Sequence, residues 1–107
     1  MINISLCMIV KNESAILRRC LDSYKPVADE IIIIDTGSTD NTKEIASEYT
    51  DKIYDYVWED DFAKARNFAF SKATCDYIFS ADADEMLDKA NQSALLQLKS
   101  VLLPEID

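Results

Sequence analysis

Four consecutive isoleucines, Ile31 to Ile34, restrict the fold of this chain more than any other stretch. Successive side chains of a β-strand point to opposite faces, so an unbroken β-branched run has to bury both. Strands buried on both faces belong to parallel sheets covered by helices, which predicts an α/β fold. Asp35 ends the run. Thr36-Gly37-Ser38-Thr39-Asp40 then supplies turn and N-cap chemistry before a helix carrying Ile45 and Ala46.

The flanking segments extend the pattern. Ile4 to Val10 has the length and branching of a buried strand, and Asn12 with Glu13 reads as the start of a helix. Within that helix Ile16, Leu17, Cys20, Leu21 and Tyr24 recur at helical spacing, and Pro26 stands past its end. A third strand is predicted around Lys52 to Val57, followed by a helix whose face is traced by Phe62, Ala65, Ala69, Phe70 and Ala73. Tyr77-Ile78-Phe79 forms a fourth strand running into Asp82, and a last helix covers Ala90 to Leu103. Alternating strands and helices with right-handed crossovers give an open, doubly wound, mostly parallel sheet of Rossmann-like topology. Its ligand crevice lies at the carboxyl ends of the strands, where both Asp35 and Asp82 fall.

Composition narrows the chemistry. The 107 residues contain no repeat or Pro/Gly-rich linker and read as one domain over residues 1–107. With no histidine, acid–base and metal chemistry rests on carboxylates. A net charge of −9 argues against nucleic acid and anionic membranes, and an anionic ligand would need a divalent cation beside it. Cys7, Cys20 and Cys75 lack zinc-site or disulfide spacing and are expected to be buried thiols. No apolar run approaches the roughly 20 residues of a membrane span and no signal peptide is evident, so a cytoplasmic location is the default expectation.

In Ser80-Ala81-Asp82-Ala83-Asp84-Glu85 the two aspartates stand at i and i+2, on one face while the backbone stays extended. They either share a hard cation, Mg2+ or Mn2+, or form a solvated acidic loop before the last helix. Asp35 emerges from a dry strand either to meet a ligand or to cap its own turn. Arg66, four residues from both Phe62 and Phe70, falls on the apolar stripe and needs a partner: Asp60, Asp61, the Asp82 cluster or a ligand phosphate.

The segments SLCMIVKNE (5–13), IIIIDTGSTDNT (31–42), DDFAKARNFAF (60–70) and DYIFSADADE (76–85) together resemble the family 2 glycosyltransferases. The resemblance implies a GT-A type fold and transfer of a sugar from a nucleoside diphosphate donor, UDP-sugar being the commoner class, to an acceptor. It implies a nucleotide-sugar site drawn from Ile9, Val10, Asn12 and Glu13, from Asp35 and Gly37, from Arg66 and Asn67, and from Ala81, Asp82 and Ala83. It makes Asp82 and Asp84 the DXD motif that holds Mn2+ or Mg2+. Ile9 and Thr36 depart from the pattern, since many members carry proline and a second acidic residue there. The family's catalytic base lies downstream, in an acceptor-binding half absent from this sequence, so the chain is expected to be the N-terminal fragment of a longer enzyme. Two other readings stay open: a non-catalytic nucleotide-sugar-binding or scaffold module, and a haloacid dehalogenase-like phosphatase with Asp35 as nucleophile.

Overall fold

The computed structural model describes residues 3–83 and 87–101, with 98–101 as backbone only. The element order is β1 (Ile4–Val10), α1 (Leu17–Tyr24), β2 (Glu30–Asp35), α2 (Thr42–Ser47), β3 (Ile53–Asp55), α3 (Phe62–Lys72), β4 (Tyr77–Ala81) and α4 (Lys89–Val101). Among the described residues the strands form one sheet in the order β3-β2-β1-β4. All three pairings are parallel, with Leu6 opposite Ile31, Val10 opposite Asp35, and Met8 opposite Ala81. The predicted doubly wound α/β architecture is therefore the observed one.

The isoleucine run behaves as its pattern requires. Ile31 and Ile33 enter the larger core with Leu6, Met8, Leu17, Leu21 and Ile45. Ile32 and Ile34 face the other way and pack with Cys7 and Ala69. Fully burying each such side chain contributes about 1.5–3 kcal/mol relative to exposure. The second face is only partly covered: β4 alternates in burial, and Ile78 on its outer side is 41% exposed.

Three local expectations are corrected. The first helix begins at Leu17 rather than near Asn12, because Asn12 takes φ 53° in the left-handed region that a helix does not admit. Glu13 O then accepts from Ile16 N and Leu17 N to close the first turn. The third strand is limited to Ile53–Asp55. Of the three thiols Cys7 and Cys20 are buried, whereas Cys75 is only half-buried beside the start of the edge strand.

Candidate functional site

Asp35 closes β2 at the carboxyl edge of the sheet and is 2% exposed. Its Oδ1 accepts from Gly37 N at 2.9 Å and Ser38 N at 2.8 Å, a turn made possible by φ 111° at Gly37. Burial opposes its charge, but the bonds from Ser38 and Gly37 and the field of Lys43 hold the carboxyl below its usual range. Its Oδ2 is buried and has no hydrogen-bond partner among the described residues. An unpaired buried carboxylate oxygen costs on the order of 1–3 kcal/mol or more, and such a group marks a place for water, an ion or a ligand.

The loop after β1 is latched to the loop after β2. Asn12 N donates to Ser38 Oγ at 2.9 Å, while Asn12 Oδ1 accepts from Thr39 N at 2.8 Å. Glu13 N donates to Thr42 Oγ1 at 2.9 Å, and the Thr42 hydroxyl donates in turn to Asp40. Bonds from Thr42 and then Ser14 hold the Asp40 carboxyl down at about 2. Thr36 donates through Oγ1 to Val10 O at 3.1 Å. The side chain of Asn12 thus orders the rim, and that of Thr36 ties β2 to β1.

Three clefts follow one another along this edge. The first, about 370 Å³, is lined by Asp35, Gly37, Tyr56 and Trp58. The second, about 270 Å³, shares Thr36 and Trp58 with it and adds Ile9, Val10, Lys11 and Glu13. Phe62 joins the second to the third, about 390 Å³, where Arg66 faces Ser80, Ala81 and Asp82. Of the residues expected at a nucleotide-sugar site, Ile9, Val10, Glu13, Asp35, Gly37, Arg66, Ala81 and Asp82 line this band. Asn67 is exposed on α3 and is not among the lining residues, and Ala83 turns into the core beside Leu87. Asp84 lies outside the described residues.

Arg66 is exposed rather than set in the core stripe. Its guanidinium stacks 4.7 Å from the Phe62 ring centroid. The inward face of α3 is instead made by Ala65 and Ala69, whose small side chains let the helix sit close to the sheet. Asp82 is exposed at the mouth of β4, and its carbonyl oxygen lies 3.8 Å from the buried Cys20 thiol.

No group of three or more His, Cys, Asp or Glu positioned to hold a metal occurs among the described residues. The donor chemistry nevertheless fits a hard cation: a carboxylate follows the edge strand, and Mg2+-like ions complete their shells with water and ligand phosphate. A larger cleft, about 470 Å³, lies at the amino end of the strands around Glu30 and Lys52. Glu30 there is bonded by Ser5, Thr74 and Lys52, so its buried carboxylate already has its partners. The unpaired Asp35 oxygen, not cleft size, singles out the candidate site. Sequence reasoning passed over Trp58, Lys11 and Phe62 as lining groups; the one available signal was the chain's only tryptophan, set just before Glu59-Asp60-Asp61. No helix among the described residues is long and apolar enough to cross a membrane.

Comparison with known proteins gives the family and the fold class. A TPR repeat-containing protein of Synechococcus elongatus is 51% identical over 87 residues, 81% of this chain and 22% of its own length. The glycosyltransferase SunS of Bacillus phage SPbeta is 37% identical over 89% of this chain and 23% of its own length. An uncharacterized glycosyltransferase of Rickettsia felis is 37% identical over 86% of this chain and 32% of its own length. The chain thus spans between about a fifth and a third of these relatives. Glucosyl-3-phosphoglycerate synthase from Mycobacterium tuberculosis, solved with Mn2+ and UDP-glucose, superimposes with a TM-score of 0.67 at 23% identity. That match covers 79% of this chain and 34% of the synthase, and it places the fold in the GT-A class. The sequence model of Glycosyl transferase family 2 matches residues 5–98, through both the Asp35 turn and the Asp82 loop, and it is to this family that the chain belongs.

Proposed function

We propose that this chain is the donor-binding part of a glycosyltransferase that moves a sugar from a nucleoside diphosphate sugar, UDP-sugar by first choice, to an acceptor. The observation that carries the reading is the buried, unpartnered Oδ2 of Asp35, in a residue lining a cleft that continues past Trp58 and Phe62 to Arg66 and Asp82. A base or ribose supplies the missing donor to Asp35. Arg66 donates to the diphosphate, and its stacking on Phe62 holds it at the cleft. Asn12 and Gly37 shape the rim, and Ile9, Val10, Glu13, Ala81 and Ala83 complete or support the walls.

Asp82 and Asp84 would hold Mn2+ or Mg2+. When bound, the ion offsets charge that develops on the departing diphosphate. The net charge of −9 makes such an ion, together with Arg66, the means by which a diphosphate is tolerated here. Support from a fold neighbour is that the mycobacterial synthase was crystallised with Mn2+ and UDP-glucose. Under the same proposal the acceptor site and the catalytic base belong to the part of the relatives' length that this chain does not span. Family membership replaces the phosphatase reading of Asp35.

Calorimetric titration with UDP and GDP, with and without Mn2+, tests this. The expected result is Mn2+-dependent binding of UDP that disappears in Asp82→Ala and in Asp84→Ala. Absence of nucleoside diphosphate binding in the presence of Mn2+ would leave a scaffold domain in its place.

A further inference from the structure

Three of the large apolar side chains exposed on this molecule lie on one short stretch running from the end of β3 into the first residue of α3: Val57 at 82%, Trp58 at 40% and Phe62 at 42%. A lone exposed apolar residue is ordinary, but Trp58 borders both the cleft lined by Asp35 and its neighbour. Its indole Nε1 donates to Asp60 Oδ1 at 3.0 Å. The polar edge of the ring is thereby satisfied within the segment, leaving the ring faces apolar. Phe62 meets the ring edge-on, with centroids 6.4 Å apart and planes at 65°.

The segment is also held at both ends. Tyr56 N donates to Asp35 O at 2.9 Å, and the Tyr56 ring packs 5.0 Å from that of Phe68. Asp61 caps α3 by accepting from Lys64 N at 3.2 Å. Between these anchors Asp60 adopts φ 56°, a conformation a non-glycine residue keeps only where its surroundings impose it. An aromatic ring fixed in this way loses little freedom when a second ring settles on it.

We propose that Trp58 is the platform on which the base of the nucleotide stacks. This rests on the nucleotide-site reading above and adds a specificity residue to it. A base in the first cleft offers an N–H edge to the unpaired Asp35 oxygen and a π-face to the indole, so one planar heterocycle meets both demands. A bare diphosphate, an anionic acceptor with no π-face, meets neither of them. Stacking of this kind changes affinity by about 5- to 150-fold on removal of the aromatic side chain.

Trp58 is the only tryptophan, so its emission reports on this position alone. The wild-type chain is titrated in Mn2+ with UDP and, as a base-free control, with inorganic pyrophosphate. The expected result is that UDP quenches or shifts the emission and pyrophosphate does not. In calorimetry Trp58→Leu weakens UDP by about 5- to 150-fold, Trp58→Phe keeps most of the affinity, and pyrophosphate binds both variants as it binds wild type. UDP binding to Trp58→Leu at wild-type affinity overturns the stacking role and leaves the nucleotide site standing. Equal weakening of UDP and pyrophosphate also overturns it, as a structural effect. Failure of the wild-type chain to bind either UDP or GDP in Mn2+ removes the nucleotide reading, and the stacking role with it.

Discussion

Ser5 and Glu30 are register partners on neighbouring strands, and the Ser5 hydroxyl donates to Glu30 Oε1 at 2.6 Å. Thr74 N and Oγ1 add bonds of 2.9 and 2.8 Å to the same carboxylate, and Lys52 pairs with its other side. One buried charge therefore ties β1, β2, the approach to β3 and the end of α3 together, at the edge of the sheet away from Asp35.

Acid should find this knot. Burial works against the Glu30 charge, yet the bonds from Lys52, Ser5 and Thr74 outweigh it and draw the carboxyl from about 4.5 to about 2. A folded pKa below the unfolded one means that the unfolded chain takes up the proton first. The stabilisation is present above about pH 4.5, declines as pH falls, and is gone near pH 2. Its size is on the order of 3 kcal/mol. Glu30→Gln should lower stability at pH 7 by about 2–3 kcal/mol and flatten the acid limb, as read from urea melts at several pH values. An unchanged acid limb would count against the knot.

Asp35→Asn separates binding from folding. The amide oxygen still accepts from Gly37 N and Ser38 N, so the melting temperature should stay within a few degrees of wild type. Loss of a charge-assisted bond to the ligand should weaken UDP by about 10- to 100-fold in calorimetry. Undiminished affinity would mean that the unpaired oxygen does not meet the nucleotide.

Arg66→Ala should discriminate between parts of the ligand. The side chain is exposed and stacks on Phe62, a contact contributing about 0.5–1 kcal/mol, so folding changes little. Affinity for UDP in Mn2+ should fall about tenfold or more, while affinity for uridine stays as it was. Equal losses for both ligands would place Arg66 elsewhere than at the diphosphate.

The thiols should react in an order set by burial. Burial, and then the Glu30 charge, push the Cys7 thiol up to about 11, and Cys20 is buried as well. Half-buried Cys75 should therefore alkylate first in the native chain at pH 8, with the other two following only in denaturant. Peptide mass mapping over time distinguishes this from uniform labelling.

Much of the fold was legible because β-branched runs have few alternatives. Ile4–Val10 and Ile31 to Ile34 are strands where the pattern put them, and Asp35 and Asp82 stand at or beyond carboxyl ends. What escaped depends on backbone torsions and contacts that periodicity does not encode. Asn12 enters the left-handed region and delays α1. Arg66 was misjudged because Phe62, read as part of the core face with Ala65 and Ala69, is 42% exposed and has the guanidinium stacked on it outside the core. Glu30 opens β2 with a charge whose partners are 22 to 44 positions away, and Trp58 sits on a segment with no period at all.

Gly37, the only glycine, has open space where a Cβ would stand: among the described residues, no atom beyond its chain neighbours lies within 4 Å of that point. Its identity is set by handedness of the backbone, since φ 111° is a conformation that side-chain-bearing residues rarely adopt. Position 37 therefore sorts amino acids by torsion and not by bulk, so that asparagine, though larger, is a gentler replacement than alanine, and valine is the harshest of the three.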